Sequence, residues 1–495
     1  MDFSPVDQVI QIGSPKGVAR LLQRAGRSGH QPGARSRILC VPTHAFELVE
    51  FAAVREAIIN REVESRQPLI APLDVLVQHI VTMALCGGFV ADELLAEVRT
   101  THAYRELTDT QWQWALDFVT HGGNALRAYE VYRKVTPRNG IHRVTSPQIA
   151  RFHRMSIGTI TADAMLSVKF MSGTSLGTVE ESFIARLRPG DHFIFAGRRL
   201  EFLRVKDLTA YVRPAKATTD KPGIVPRWNG GRMPLSTQLA TAVRRQLTAA
   251  RDGIFNQEEM RAVAPILAIQ AKWSHIPVEG ELLIEEIKSR DGYHLFVFPL
   301  LGRVIHEGLS TLIAYRLTLR EPRSISTFAT DYGFELLSPT PFELDDVTWT
   351  ELLSTDHLLE DVLTCVNSTE LARRQFRDIA RIAGLIFSGY PGSKKSMRQL
   401  QTSSGLLYEV FRDFDPDNLL LDQARREVLD QQLDLQRLRA TLVDLAQMQR
   451  VVVTPRRLTP FAFPIWADRL RTQVSSEDWT QRIQRMVLQL ERAAN

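Results

Sequence analysis

Two arginines three residues apart, Arg24 and Arg27, carry the strongest chemical signal in this 495-residue chain. They lie in Val18-Ala-Arg-Leu-Leu-Gln-Arg-Ala-Gly-Arg-Ser-Gly-His30, where an apolar helix start runs into Gln23, Arg24, Gly26, Arg27 and Gly29. A guanidinium is planar, permanently charged and matches phosphate oxygens through two bonds. The glycines let the backbone turn beside such an anion. Enzymes that hydrolyse a nucleotide between two domains often supply an arginine of this kind from the far domain. The same residues also suit a plain basic helix end, with Gly as cap and Arg against the last carbonyls. Residue types alone leave these two readings level.

Other stretches imitate chemistry less well. Gly384-Leu-Ile-Phe-Ser-Gly389-Tyr390 has the glycine spacing of a phosphate cradle, but Tyr390 stands where the lysine must be. Asp413-Phe-Asp415-Pro-Asp417 resembles a calcium loop, yet Asn418 and Ala424 replace its glycine and final Glu. These acids read as caps for the next helix. Glu279, Glu281, Glu285, Glu286 and Asp291 offer carboxylates to a metal-dependent nuclease. Neighbours on a strand face opposite sides, and no histidine frames the group, so a structural role is favoured. No metal site is read from the sequence.

Two regions suit nucleic acid. Trp228 sits among Arg227, Gly230, Gly231 and Arg232 in a glycine loop. A base can stack on such a ring while the arginines take phosphate; equally, the ring can tuck over a neighbouring sheet. The predicted helix 369–385 stripes one face with Arg373, Arg377 and Arg381, and Lys394, Lys395 and Arg398 follow. This basic surface suits phosphate contacts without base reading. A solvated face with inter-helix ion pairs explains it as well.

The elements that must position these groups follow from hydrophobic period. Residues 1–44 read as strand, helix, strand, with apolar runs suited to a parallel sheet covered by helices. Three elements cannot cover such a sheet, so apolar surface is expected to be exposed. Residues 45–67 read as a charged, solvated linker helix. Residues 68–150 read as three short helices and a strand-like tail, a winged helix, with Thr108 or Asp109 capping the third helix. Trp112 and Trp114 are expected in its core. From 151 to 340 the period turns to two, with a hairpin over 190–204 and a barrel-like antiparallel sheet. Helices are interspersed at 235–247, 256–270 and 306–319. Residues 341–495 read as helical, including one long helix over 420–449.

Composition sets bounds. Hydrophobic content of 44% and charged content of 24% are globular values, and the length allows roughly three domains. The net charge of +5 gives weak support for an anionic partner. Cys40, Cys86 and Cys365 are isolated, which excludes a metal knuckle and points to a reducing, cytoplasmic setting. No run of about 18 apolar residues and no signal-like start is present, so no membrane partner is expected.

Residues 1–30 resemble motifs V and VI of superfamily 2 helicases, whose motif VI commonly reads Gln-Arg-x-Gly-Arg-x-Gly-Arg; here Gln23-Arg-Ala-Gly-Arg-Ser-Gly ends in His30. The wording is closest to the large helicase-related (Lhr) family, in the branch associated with a DNA ligase. Segments 281–320, 371–408 and 459–470 resemble that branch too.

The resemblance implies a multidomain α+β protein. Its parts would be the C-terminal remnant of a RecA-like α/β motor domain (1–44), a linker helix (45–67) and a winged helix (68–150). A β-rich core domain with a DNA-stacking loop (151–340) and a helical C-terminal region (341–495) would follow. It implies that Arg24 and Arg27 contact the γ-phosphate across the motor cleft and that Gln23 couples nucleotide to motion. Gln8, Gln11 and Ser14 would lie near the DNA backbone, and Trp228 would stack on a base beside Arg227 and Arg232.

No G-x-x-x-x-G-K-[ST] or Asp-Glu-x-His box occurs in the chain. It therefore reads as beginning within motif V, with ATP and Mg2+ bound only in the complete motor. The expected function is the C-terminal portion of an ATP-dependent 3′–5′ DNA helicase in DNA repair, inactive as a motor alone. Expected partners are single-stranded and tailed duplex DNA, with a functional link to an ATP-dependent DNA ligase and a nuclease. The work would be bacterial, cytoplasmic and nucleoid-associated. The rivals are a non-catalytic DNA-binding protein, and a nuclease or glycosylase using the 279–291 acids.

Overall fold

The computed structural model describes residues 6–29, 33–64, 68–159, 165–180, 184, 187, 189–195, 198–206, 209–215, 223–224, 234–365, 368–387, 389–390, 393–394, 397–432, 434–472 and 479–494. They form two compact units, each built from distant segments: Met1–Ser65, Asn229–Cys365 and Leu433–Asn495 in one, Arg66–Trp228 and Val366–Gln432 in the other.

The first unit is built on a five-stranded sheet, in the order Ser326–Ala329, Phe334–Ser338, Gly292–Phe298, Glu281–Ser289, Gln449–Val453. Its strands alternate, as the period of two requires, but both faces are apolar. Leu283, Ile287, Phe296 and Phe298 pack into one core with helices Ala45–Ile59, Thr237–Arg251, Glu258–Trp273 and Ala462–Thr472. Leu282, Ile284, Leu295 and Val297 pack into another with helices Arg303–Arg320, Asp346–Leu352, Leu358–Cys365 and Leu435–Gln447.

A separate parallel pair, Val9–Ile12 with Ile38–Val41, flanks helix Val18–Ala25. One face of this pair is bare: Ile10, Ile12, Leu39 and Val41 are all exposed, Ile12 at 69%. That is the exposed apolar surface expected of a parallel pair with too few helices to cover it.

In the second unit, helices Leu73–Leu85, Ala91–Arg99 and Asp109–His121 precede a hairpin of Thr136–Arg138 and Ile141–Arg143. Thr108 closes a capping box with Gln111, and Gly122, in the left-handed region, ends the third helix. Trp112 is buried in this core, and Trp114 stacks on Phe118. Helices Ser368–Ile382, Met397–Phe414 and Leu419–Glu427 contribute Phe376, Phe411 and Leu420 to the same core.

A six-stranded sheet completes this unit. Its order is Gly223–Ile224, His192–Phe195, Arg198–Lys206, Thr209–Pro214, Met165–Phe170, Ser175–Glu180.

Four expectations are corrected. The stretch 151–340 is not one β-rich domain: its two sheets fall in different units, the five-stranded one closing its cores with helices from elsewhere in the chain and the six-stranded one with residues 166–212 of its own. The sheet over 165–224 is mixed, since Met165–Phe170 runs parallel to Thr209–Pro214, and among the described residues its edges do not pair with each other. Helix Ala45–Ile59 is not solvated. Phe46, Val49, Ala52, Ala53 and Ala57 are buried, and so is Glu50. Its apolar residues surround the axis, so tertiary packing decides their burial. Finally, the single helix over 420–449 is two, Leu419–Glu427 and Leu435–Gln447, separated by a π-turn at Val428–Gln432 and a left-handed Asp434. A strand then follows, Gln449–Val453, which adds a parallel edge to the sheet.

No described helix is long and apolar enough to cross a membrane.

Candidate functional site: an arginine helix and the loop that holds it

Helix Val18–Ala25 buries Val18 and Leu21 and leaves Gln23 and Arg27 exposed, with Arg24 half-buried. Arg24 Nη1 donates to Gln11 Oε1 at 2.7 Å. The Gln11 amide nitrogen donates in turn to the carbonyls of Ile12, Gly13 and Ser14, at 3.1–3.3 Å. Gln11 and Arg24, separate candidates in the sequence, therefore act as one unit: strand, loop and arginine share a side chain. Gln8 is exposed on the same strand side of the loop.

Ser28, which sequence reasoning passed over, closes the turn after Arg27. Its buried hydroxyl lies 2.7 and 2.9 Å from the carbonyls of Ala25 and Arg37 and accepts from the Arg37 amide at 2.8 Å. Gly29 has φ +65°, and a Cβ there would meet the Arg35 carbonyl at 2.8 Å. The motif spacing thus encodes a turn that presents Arg27 outward.

The loop 13–17 is gripped by carboxylates. Ser14 donates its amide to Glu47 Oε1 at 2.9 Å and its hydroxyl to Glu50. Glu50 is fully buried and also accepts from the Tyr332 hydroxyl. Burial pushes its carboxyl up to about 7, against the pull of Ser14, Tyr332 and Lys16.

Lys16 has φ +62°, a left-handed backbone that a lysine adopts at a cost. Its ammonium lies 2.7 Å from Asp331 Oδ2, and its carbonyl accepts from the Ser236 amide at 3.0 Å. Asp331 also accepts the amides of Leu235 and Arg303 at 2.9 and 3.1 Å. Burial raises its carboxyl, but Lys16 and these amides outweigh that and hold it below the usual range.

The start of the arginine helix is already occupied. Glu64 accepts from the amides of Val18 and Ala19, both at 2.6 Å, and from the Ser236 hydroxyl at 2.6 Å. Burial pushes the Glu64 carboxyl up; the bonds from Ser236, Ala19 and Val18 win and hold it down. A carboxylate at this end satisfies orphan amides and opposes the positive pole of the helix dipole. The phosphate chemistry available here therefore rests with the arginine side chains. None of the carboxylates in this grip was legible, because they lie 33 to 315 residues from the loop groups they hold.

The remaining candidates fall elsewhere. Trp228, Arg227, Arg232 and Lys395 lie outside the described residues, and of Lys394 the structure describes only its strand, paired with Gly389–Tyr390. Arg373 forms an ion pair with Glu409 of the next helix at 3.1 Å, and its guanidinium lies against Gly405. Arg377 is half-buried on the same helix.

Three of the five acids of 279–291 are engaged with separate partners. Glu281 pairs with Arg251 and His275 at 2.7 and 2.6 Å, Asp291 with Arg469 at 3.2 Å, and buried Glu285 bonds Gln270 and Thr459. Among the described residues no trio of His, Cys, Asp or Glu is arranged to hold a metal.

Residues 56–222 match the family described as large helicase-related protein, winged helix domain, and residues 276–462 match the DEAD/H associated family. The ATP-dependent helicase Lhr-Core protein 2 of Thermococcus barophilus is 30% identical over 94% of this chain and 55% of its own length. The ATP-dependent helicase Lhr-Core of Methanothermobacter thermautotrophicus is 28% identical over 98% and 58%. The chain thus spans a little over half the length of these relatives.

The structure of Mycobacterium smegmatis helicase Lhr bound to ssDNA and AMP-PNP shares the fold, with a TM-score of 0.63 at 22% identity, over 92% of this chain and 56% of that one. The two family matches and the relatives aligned along nearly all of its length place this chain in the large helicase-related (Lhr) family.

Proposed function

We propose that the chain forms the rear part of an ATP-dependent helicase that moves 3′ to 5′ on single-stranded DNA, in the ligase-associated branch and in DNA repair. The observation that carries this is the arginine helix. Arg27 projects outward from a closed turn, while Arg24 is aimed by Gln11. Preorganised guanidiniums suit the charge that develops on a transferring phosphoryl group. Arg24 and Arg27 would meet the γ-phosphate of a nucleotide held with Mg2+ in the complete motor, and Gln23, exposed on the same helix, would sense it. Residues for that half of the site fit on this chain; a phosphate cradle with its lysine is not among its motifs.

The likeness to a helicase solved with ssDNA and AMP-PNP supports a nucleic-acid track. Trp228 with Arg227 and Arg232 would stack on and clamp the strand. Gln8, Arg373, Arg377, Lys394 and Lys395 would add phosphate contacts.

Fluorescence anisotropy with labelled oligo-dT tests the DNA part. The chain is expected to bind, more weakly as salt rises, and Trp228→Ala to lower affinity by about tenfold or more, one stack's worth. Absence of binding would refute it. Purified chain with ATP, Mg2+ and DNA is expected to release no phosphate; turnover would overturn the half-site reading.

A further inference from the structure

The six-stranded sheet of the second unit has two unlike faces. Leu166, Val168, Phe193, Leu200, Phe202, Ala210 and Val212 are buried on one. The other carries Lys169, Glu201, Arg204, Tyr211 and Arg213 at the alternate positions. Tyr211 lies in the middle. Lys169 stands beside it in register on one neighbouring strand, and Arg204 on the other. A register shift between Phe202 and Arg204 turns Arg204 onto the tyrosine's face, and its guanidinium lies 5.6 Å from the ring centroid.

Charge on this face is not balanced. Glu201 is taken by Arg213 through two bonds, at 2.9 and 2.7 Å. Among the described residues neither Lys169 nor Arg204 has a carboxylate partner. A half-buried aromatic ring between a half-buried lysine and an exposed arginine matches what unpaired bases and their phosphates require. A second protein would more usually meet a less cationic, more apolar centre.

We propose that Tyr211, Lys169 and Arg204 form a single-strand nucleic-acid platform on this sheet, separate in sequence from the Trp228 loop. A base stacks on the Tyr211–Arg204 layer, and Lys169 and Arg204 take the flanking phosphates. The platform rests on the reading of the chain as a single-strand binder, and extends it to this face of the six-stranded sheet.

The test uses the full chain with fluorescein-labelled oligo-dT, oligo-rU and a blunt duplex. Tyr211→Ala should weaken single-strand binding by about tenfold, and Tyr211→Phe should preserve it, since only the ring is needed. Lys169→Glu and Arg204→Glu should each weaken it and flatten its salt dependence. Circular dichroism and the melting temperature confirm that each variant is folded.

Whichever of oligo-dT and oligo-rU shows the Tyr211 dependence identifies the natural strand, and either supports the platform. Binding by the parent that is unmoved in Tyr211→Ala overturns the platform and leaves the Trp228 reading standing. Equal Tyr211 dependence on the blunt duplex, whose bases are already stacked, also overturns it. No binding of either strand by the parent overturns both.

Discussion

Gln11 Oε1 accepts from Arg24 Nη1 at 2.7 Å, and this one bond joins the strand before the loop to the helix after it. Gln11 therefore sets the direction of Arg24 while its amide braces the loop. Gln11→Ala should cost about 1 kcal/mol in urea denaturation and speed amide exchange across the loop. Unchanged exchange would show that the bond positions nothing.

Arg27 is exposed and its turn is closed without it. Arg27→Ala should leave the stability of the chain within about 0.5 kcal/mol of the parent. In the complete motor the same change should lower ATP turnover by roughly a thousandfold, with DNA affinity kept. Normal turnover would remove Arg27 from the proposed chemistry.

Asp331 holds Lys16 and two backbone amides in a site nearly closed to water. Asp331→Asn keeps the shape but leaves the Lys16 ammonium unpaired, and should cost about 2 kcal/mol. Its carboxyl is held below its ordinary 3.8. That contribution is present above about pH 4 and should be lost as pH falls through the depressed folded value. A variant with the parent's stability at pH 7 would contradict this.

Glu50 shifts the other way, to about 7 from an ordinary 4.5. Between those values the folded protein holds a proton that the unfolded chain releases, so stability falls as pH rises from about 4.5 to 7 and then levels. The full swing is about 3 kcal/mol for a shift of that size. Glu50→Gln should abolish this slope and be more stable than the parent at pH 8. A denaturation series from pH 5 to pH 8 decides it; parallel curves would reject it.

Glu64 caps the arginine helix from the irregular segment that follows helix Ala45–Ile59. Glu64→Ala leaves the Val18 and Ala19 amides without acceptors and should cost about 1–2 kcal/mol, with faster exchange in the first helical turn. Gly17→Ala should act similarly, because a Cβ there would lie 2.6 Å from Glu64 Oε1. An unchanged melting temperature in both would exclude the cap.

Much was legible because it is local. Capping by Thr108, the stop at Gly122, the hairpin over 190–204 and the helices at 237–251, 258–273 and 303–320 follow from period and turn residues. The exposed face of Ile10, Ile12, Leu39 and Val41 followed from counting elements that could cover it. The domain layout was less legible. Helix Ala45–Ile59 reads as charged, but its Glu47 and Glu50 point into a polar site that only distant residues complete.

The sequence by itself determined the arginine motif, the family it belongs to and the local elements, since spacing and capping act within a few residues. Tertiary structure decided which groups hold that motif in place. Glu50, Glu64, Asp331 and Tyr332 come from segments with no periodic relation to residues 11–27, and only folding brings them to the loop. It also decided that 281–338 and 165–224 build separate sheets, because each strand pattern fits either core until long-range pairing selects one.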